Sequence, residues 1–115
     1  MPVNEEGDDM IFTVDELRSK ISPIAKKYGL REVYLFGSYA RSEATDDSDV
    51  DILIDRTGSS IKGMFDMGSL YADLRECIGK DIDLVTTQTL EQAGTRQRIP
   101  MFVKNLYSER VKIYD

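Results

Sequence analysis

The segment LFGSYARSEATDDSDVDILID, residues 35–55, constrains this chain more than any other. An apolar run, Val33-Tyr34-Leu35-Phe36, stops at Gly37-Ser38. Ten residues later Asp49-Val50-Asp51 opens a second run, in which Val50, Ile52 and Ile54 alternate with the acids. In a strand, that alternation sends Asp49 and Asp51 to one face and the branched apolar residues to the other. Two strands joined through a turn and a short helix follow, with one face buried and the other charged.

Each half of the pattern carries chemistry. Carboxylates a few ångströms apart repel unless a cation lies between them, so the acid pair reads as a divalent metal site. Gly37 allows close backbone approach, and the free N–H groups of a helix start favour phosphate. A phosphate cradle beside a carboxylate metal site is what phosphoryl or nucleotidyl transfer requires. In that reading Ser38 holds a terminal phosphate oxygen. Asp49 and Asp51 bind metals that contact the triphosphate, and a carboxylate serves as general base. Taken singly the parts have plainer readings: Gly-Ser as an ordinary turn, the acids as a surface pair, Arg41 as a salt-bridge partner instead of a phosphate contact.

The rest of the chain supplies elements around this segment. Thr13 and Glu16 form a capping-box pattern, and Leu17, Ile21, Ile24 and Ala25 give a helical apolar face that ends at Tyr28-Gly29. Pro23 is expected to kink or divide that helix. Strands are expected over residues 32–36 and 50–55, a short helix over about 38–43, and a loop over 56–60. Ile61, Met64, Met67, Tyr71, Leu74 and Ile78 make a stripe at helical spacing, closed by Gly79, with the methionines read as core filler. Residues 80–85 repeat the strand alternation. A helix over about 98–107 carries Pro100 in its first turn, and residues 111–114 suit a last short strand. This order predicts an α/β (α+β) domain with a short mixed sheet flanked by helices, over residues 13–115, after a flexible tail at residues 1–12.

With 115 residues there is room for one modest core. The acidic start MPVNEEGDDM lacks the basic and apolar regions of a signal peptide, and no run suits a membrane span, so a cytoplasmic protein is expected. The single cysteine, Cys77, permits no internal disulfide and is read as a small core residue. A net charge of −6 argues against direct nucleic-acid binding. The absence of histidine excludes imidazole bases, ligands and triads; a base has to be a carboxylate, lysine, tyrosine or the thiol.

A two-metal displacement calls for a third acid, and Asp81 and Asp83 also lie at i, i+2 on an expected strand. Spacing alone does not choose between them. Asp83, flanked by Ile82 and Leu84, is favoured, and Asp81 nearer the strand entrance suits a surface or capping role.

Gly37-Ser38, ten residues and Asp49-Val50-Asp51 together resemble the signature of the polymerase-β-like nucleotidyltransferases. More closely, YLFGSYAR, SDVDILID and GKDIDLVT resemble the minimal nucleotidyltransferases, the antitoxin partners of HEPN-domain toxins. The resemblance runs from about Leu17 to the 111–114 segment. It implies that fold and an Mg²⁺-dependent enzyme, with two ions, that takes AMP from ATP. Asp49, Asp51 and Asp83 would be catalytic and metal-ligating; Gly37, Ser38 and Arg41 would bind nucleotide. The family's V-D-L-V-like strand maps onto Ile82-Asp83-Leu84-Val85 and so supports Asp83 over Asp81. The implied acceptor is a hydroxyl, a tyrosine, of a HEPN ribonuclease toxin, presented by that partner since no acceptor domain is evident here. Ser42 stands where the family often has glycine, which would reshape the helix end and leave the ligands intact. The other readings are an antitoxin that acts by binding alone, or a transferase acting on RNA or a small molecule.

Overall fold

In the computed structural model, residues 11–90 and 100–115 are described. Helix α1 spans Val14–Tyr28. The Thr13 hydroxyl accepts from the Glu16 N–H at 3.0 Å while the Thr13 N–H donates to Glu16 Oε1 at 2.8 Å. This reciprocal pair satisfies amides that a helix start leaves orphaned. Gly29 ends α1 in the left-handed region at φ 71°, which a side chain rarely adopts. Pro23 does not divide the helix. Both Ser19, whose carbonyl loses its partner, and Pro23 lie exposed, where water can serve that carbonyl.

Strand β1 (Glu32–Phe36) runs into a single helical turn, α2 (Gly37–Ala40), shorter than the sequence predicts. Strand β2 is Val50–Asp55, α3 is Met64–Ile78, β3 is Ile82–Thr86, α4 is Pro100–Glu109 and β4 is Val111–Tyr114. The expected start of the last helix at residues 98–99 and most of the expected tail, residues 1–10, fall outside the described residues.

The four strands form a mixed sheet in the order β3-β2-β1-β4. β1 is antiparallel to both β2 and β4, and β2 is parallel to β3. A parallel pair needs a crossover, and α3 supplies it. On one face α1 and α3 cover Val33, Leu35, Val50, Ile52, Ile54, Ile82 and Ile113, all buried in one aliphatic cluster. On the other face Tyr34, Phe36 and Leu53 pack with Leu90 and with Leu106 of α4 in a smaller cluster.

Helix α3 departs from its expected stripe. Leu70, Leu74 and Ile78 are its buried residues, Met67 is only partly covered, and Met64 is 91% exposed. Met64 is the first residue of the helix and fills no core space. Cys77 is half-buried, its thiol donating to the Lys20 carbonyl at 3.4 Å. No helix among the described residues is long and apolar enough to cross a membrane.

Candidate active site

Topology brings distant parts of the chain to one end of the sheet. Antiparallel pairing sets the end of β1 beside the start of β2, and Phe36 pairs with Asp51. Parallel pairing sets the start of β3 beside the start of β2, and Asp51 pairs with Asp83. β4 runs antiparallel to β1, so Val111 pairs with Leu35 and the end of α4 arrives at the same place. Because Val50, Ile52, Ile82 and Leu84 turn toward α1 and α3, the pleat sends Asp51 and Asp83 to the α4 face. A cleft of about 340 Å³ opens there, lined by Phe36, Gly37, Arg41, Asp51, Asp83, Asn105, Leu106 and Glu109.

Gly37 is required twice over. Its φ is 69°, and a Cβ built on it would stand 2.0 Å from Asp51 Oδ2. The missing side chain lets the Asp51 carboxylate lie against the turn between β1 and α2. The expected reason for this glycine was close approach of phosphate; the contact the structure shows is with an acid of its own chain. Ser38 is half-buried beside it but is not among the residues lining the cleft.

Asp51 is the electrostatic centre. Burial, then the negative charges of Asp83 and Asp49, push its carboxyl up to about 6, with the Arg41 charge acting the other way. Such a half-buried acid among like charges favours either a proton or a bound cation. Asp83 sits on an edge strand and is exposed. Asp49 lies one residue before β2 and is exposed too, in a loop shaped by the Thr45–Ser48 turn (Ser48 N–H to Thr45 carbonyl, 3.0 Å) and tied down by Lys80 Nζ to the Asp46 carbonyl at 3.0 Å. Among the described residues no three His, Cys, Asp or Glu side chains gather closely enough to hold a metal ion. Of the three expected acids, Asp51 and Asp83 are register partners, and the charge of Asp49 acts on Asp51 from the adjoining loop. Two oxygen donors on one face still suit a hard divalent cation, which takes carboxylate oxygen and completes its shell with water or phosphate.

Asp81 lies outside β3 and accepts from Arg75 at 2.6 Å, a surface pairing that leaves the site to Asp83. Arg41 lines the cleft, and it pairs with Glu43 (Nε–Oε1, 2.9 Å) and with Glu109 of α4 (Nη1–Oε1, 3.1 Å). Asn105, Leu106 and Glu109 were not legible as site residues. The apolar spacing of α4 points Leu106 at the sheet, but nothing local says which sheet end the helix reaches.

Residues 19–111 match the family model described as polymerase beta, nucleotidyltransferase. The chain belongs to that family. It is 38% identical over 79 residues to a Methanocaldococcus jannaschii chain named as a candidate protein adenylyltransferase, covering 69% of this chain and 83% of the relative. It is 34% identical over 85 residues to the protein adenylyltransferase MntA of Thermococcus cleftensis, covering 70% and 84%. The fold resembles a chain in the crystal structure of a toxin–antitoxin with AMP-PNP, with a TM-score of 0.62 and 22% identity over 84% of this chain and 71% of that one. The nucleotidyltransferase fold expected from the Gly-Ser and Asp-Val-Asp segments is thus the fold observed, with the paired acids and the glycine turn at one sheet end.

Proposed function

We propose that this nucleotidyltransferase moves AMP from ATP to a hydroxyl of a partner toxin and thereby silences it. The observation that carries the reading is Asp51 in register with Asp83 beneath the Gly37 turn, at the mouth of a cleft that holds an arginine. Relatives named protein adenylyltransferases support the reaction type. The toxin–antitoxin with AMP-PNP supports the nucleotide and the kind of partner. We extend this to ATP as donor, a HEPN-domain ribonuclease as toxin and a tyrosine as acceptor, in keeping with the sequence resemblance.

Asp49, Asp51 and Asp83 would hold Mg²⁺, Asp51 and Asp83 from the ladder and Asp49 from the loop that enters β2. Bound there, the ion supplies charge neutralisation to the triphosphate and to the leaving pyrophosphate. The chain's own groups do the rest. Gly37 keeps the Asp51 carboxylate against the turn, Arg41 offers guanidinium N–H groups to phosphate, and Ser38 stands beside the turn with its hydroxyl. The acceptor hydroxyl attacks the α-phosphorus, the bond to the β-phosphate oxygen breaks, pyrophosphate leaves and the hydroxyl proton passes to a carboxylate. Asp83 suits that role because it lies on an edge strand, where a second protein can reach it. Holding the hydroxyl in line is the larger share of such catalysis, and the partner provides it.

The test is incubation of the chain with its toxin and ATP, followed by intact mass of both proteins. The toxin should gain AMP with the wild type and none with Asp83→Asn. A contact-only antitoxin is the second reading, favoured by Met64 and Phe65, 91% and 89% exposed on α3. Equal silencing by wild type and Asp49→Ala/Asp51→Ala, with no added mass, would establish that reading instead.

A further inference from the structure

Among the described residues that line the cleft, Arg41 is the only cation, against three acids, Asp51, Asp83 and Glu109. Its guanidinium has five N–H donors. Nε is taken by Glu43 at 2.9 Å and Nη1 by Glu109 at 3.1 Å. Among the described residues the Arg41–Glu109 pair is also the one ion pair joining the turn after β1 to α4, across 68 positions of sequence. A triphosphate entering this cleft meets a guanidinium that a carboxylate already holds. Phosphate and carboxylate compete for the same fork of donors. Glu109 is partly exposed, with a side-chain accessibility of 37%, so it can swing to water when displaced.

From this geometry we infer that Glu109 is a positioning residue that holds Arg41 in the nucleotide-free protein and yields it to the phosphates of the incoming nucleotide. The inference rests on the nucleotidyltransferase reading above and adds to it a residue that sets nucleotide affinity. Glu109 touches no reacting atom and acts only through Arg41. Glu43, bonded to the other side of the guanidinium, stays in place and keeps Arg41 aimed along the cleft. The pair therefore lowers affinity for any polyphosphate, irrespective of its base.

Simple removal of a negative charge from the cleft would also tighten anion binding, so the decisive experiment is a double-mutant cycle. Dissociation constants for ATP and for inorganic triphosphate, both with Mg²⁺, are measured by calorimetry on the full chain, as wild type, Glu109→Gln, Arg41→Gln and the double variant. Glu109→Gln should tighten both ligands by about two- to fivefold, the range that an exposed ion pair commands. Arg41→Gln should weaken both, and the double variant should match Arg41→Gln alone, because without the guanidinium Glu109 has nothing to withhold. A Glu109→Gln gain that persists in the Arg41→Gln background, or no gain at all, overturns the inference while leaving the parent reading intact. Wild type that binds neither ligand overturns both. Melting curves of each variant, with Glu109→Ala as a second replacement, show whether any change reflects loss of fold.

Discussion

The face of the sheet under α1 and α3 and the face toward α4 are built from alternate residues of the same strands, yet they serve different ends. Along β2, Val50, Ile52 and Ile54 join a closed aliphatic core, while on the other face Leu53 packs and Asp51 does not. Along β3, Ile82 and Leu84 go to the core side, and Asp83 and Val85 to the other. The first face gains stability by excluding water along its length. The second packs Tyr34, Phe36, Leu53, Leu90 and Leu106 into a smaller cluster and gives the Asp51–Asp83 pair to charge. A protein this small secures its fold with one face and spends the other on a site that opposes folding, since clustered acids repel.

The largest effect expected from this contrast is on chemistry. Asp51→Asn should lower AMP transfer by about a thousandfold, at the upper end of what one electrostatic contact to a transition state supplies, while raising the melting temperature. The sign follows from linkage. Asp51 titrates at about 6 in the folded chain, above its ordinary value of 3.8. Its contribution to stability is present in full below the ordinary value and is lost as pH rises to about 6. Wild-type melting temperature without Mg²⁺ should therefore fall across that window, and the fall should shrink in Asp51→Asn. An equal fall in both proteins would remove Asp51 as the strained group.

On the closed face the reverse is expected. Leu74→Ala deletes a fully buried side chain between α3 and the sheet and should cost about 2–5 kcal/mol of stability in denaturant unfolding. Transfer by the fraction still folded should persist, because Leu74 lies on the opposite side of the sheet from the cleft. If it loses transfer without losing stability, the division between the faces fails.

Gly37→Ala should show both kinds of damage. The added methyl has to displace the Asp51 carboxylate, and the left-handed backbone at φ 69° costs a non-glycine residue about 1–2 kcal/mol. Loss of transfer and a lowered unfolding midpoint should appear together. The smallest effect concerns Ser42, which adopts φ 60° outside the cleft. Ser42→Gly should stabilise the chain by about 1 kcal/mol, read from the same unfolding curves, with transfer unchanged.

Much of the fold was legible because its signals are local. The bounds of β1, β2 and β4 match the expected ones, β1 as a short apolar run buried on both faces and β2 through its alternation. Both ends of α1 were legible from Thr13, Glu16 and Gly29, whose contacts span three or four residues. α3 was less so. Its sequence offers two overlapping apolar stripes, and only packing against α1 selects Leu70, Leu74 and Ile78 over Met64 and Tyr71.

By itself the sequence determined the kinds of side chain at the site and the faces they share: a glycine that turns the chain, and acids that alternate with core residues. Which of those acids meet was a matter of strand order. The parallel pairing of β2 with β3 puts Asp51 opposite Asp83, and Asp49 lies one residue before the ladder begins. The encounter of Gly37 with the Asp51 carboxylate, and of Arg41 with Glu109, likewise joins residues whose separation in sequence carries no trace of their contact. The reason is physical. Turns, caps and alternation are set by neighbours along the chain, whereas the convergence of charges at one sheet end exists only after the core on the opposite face has fixed the register.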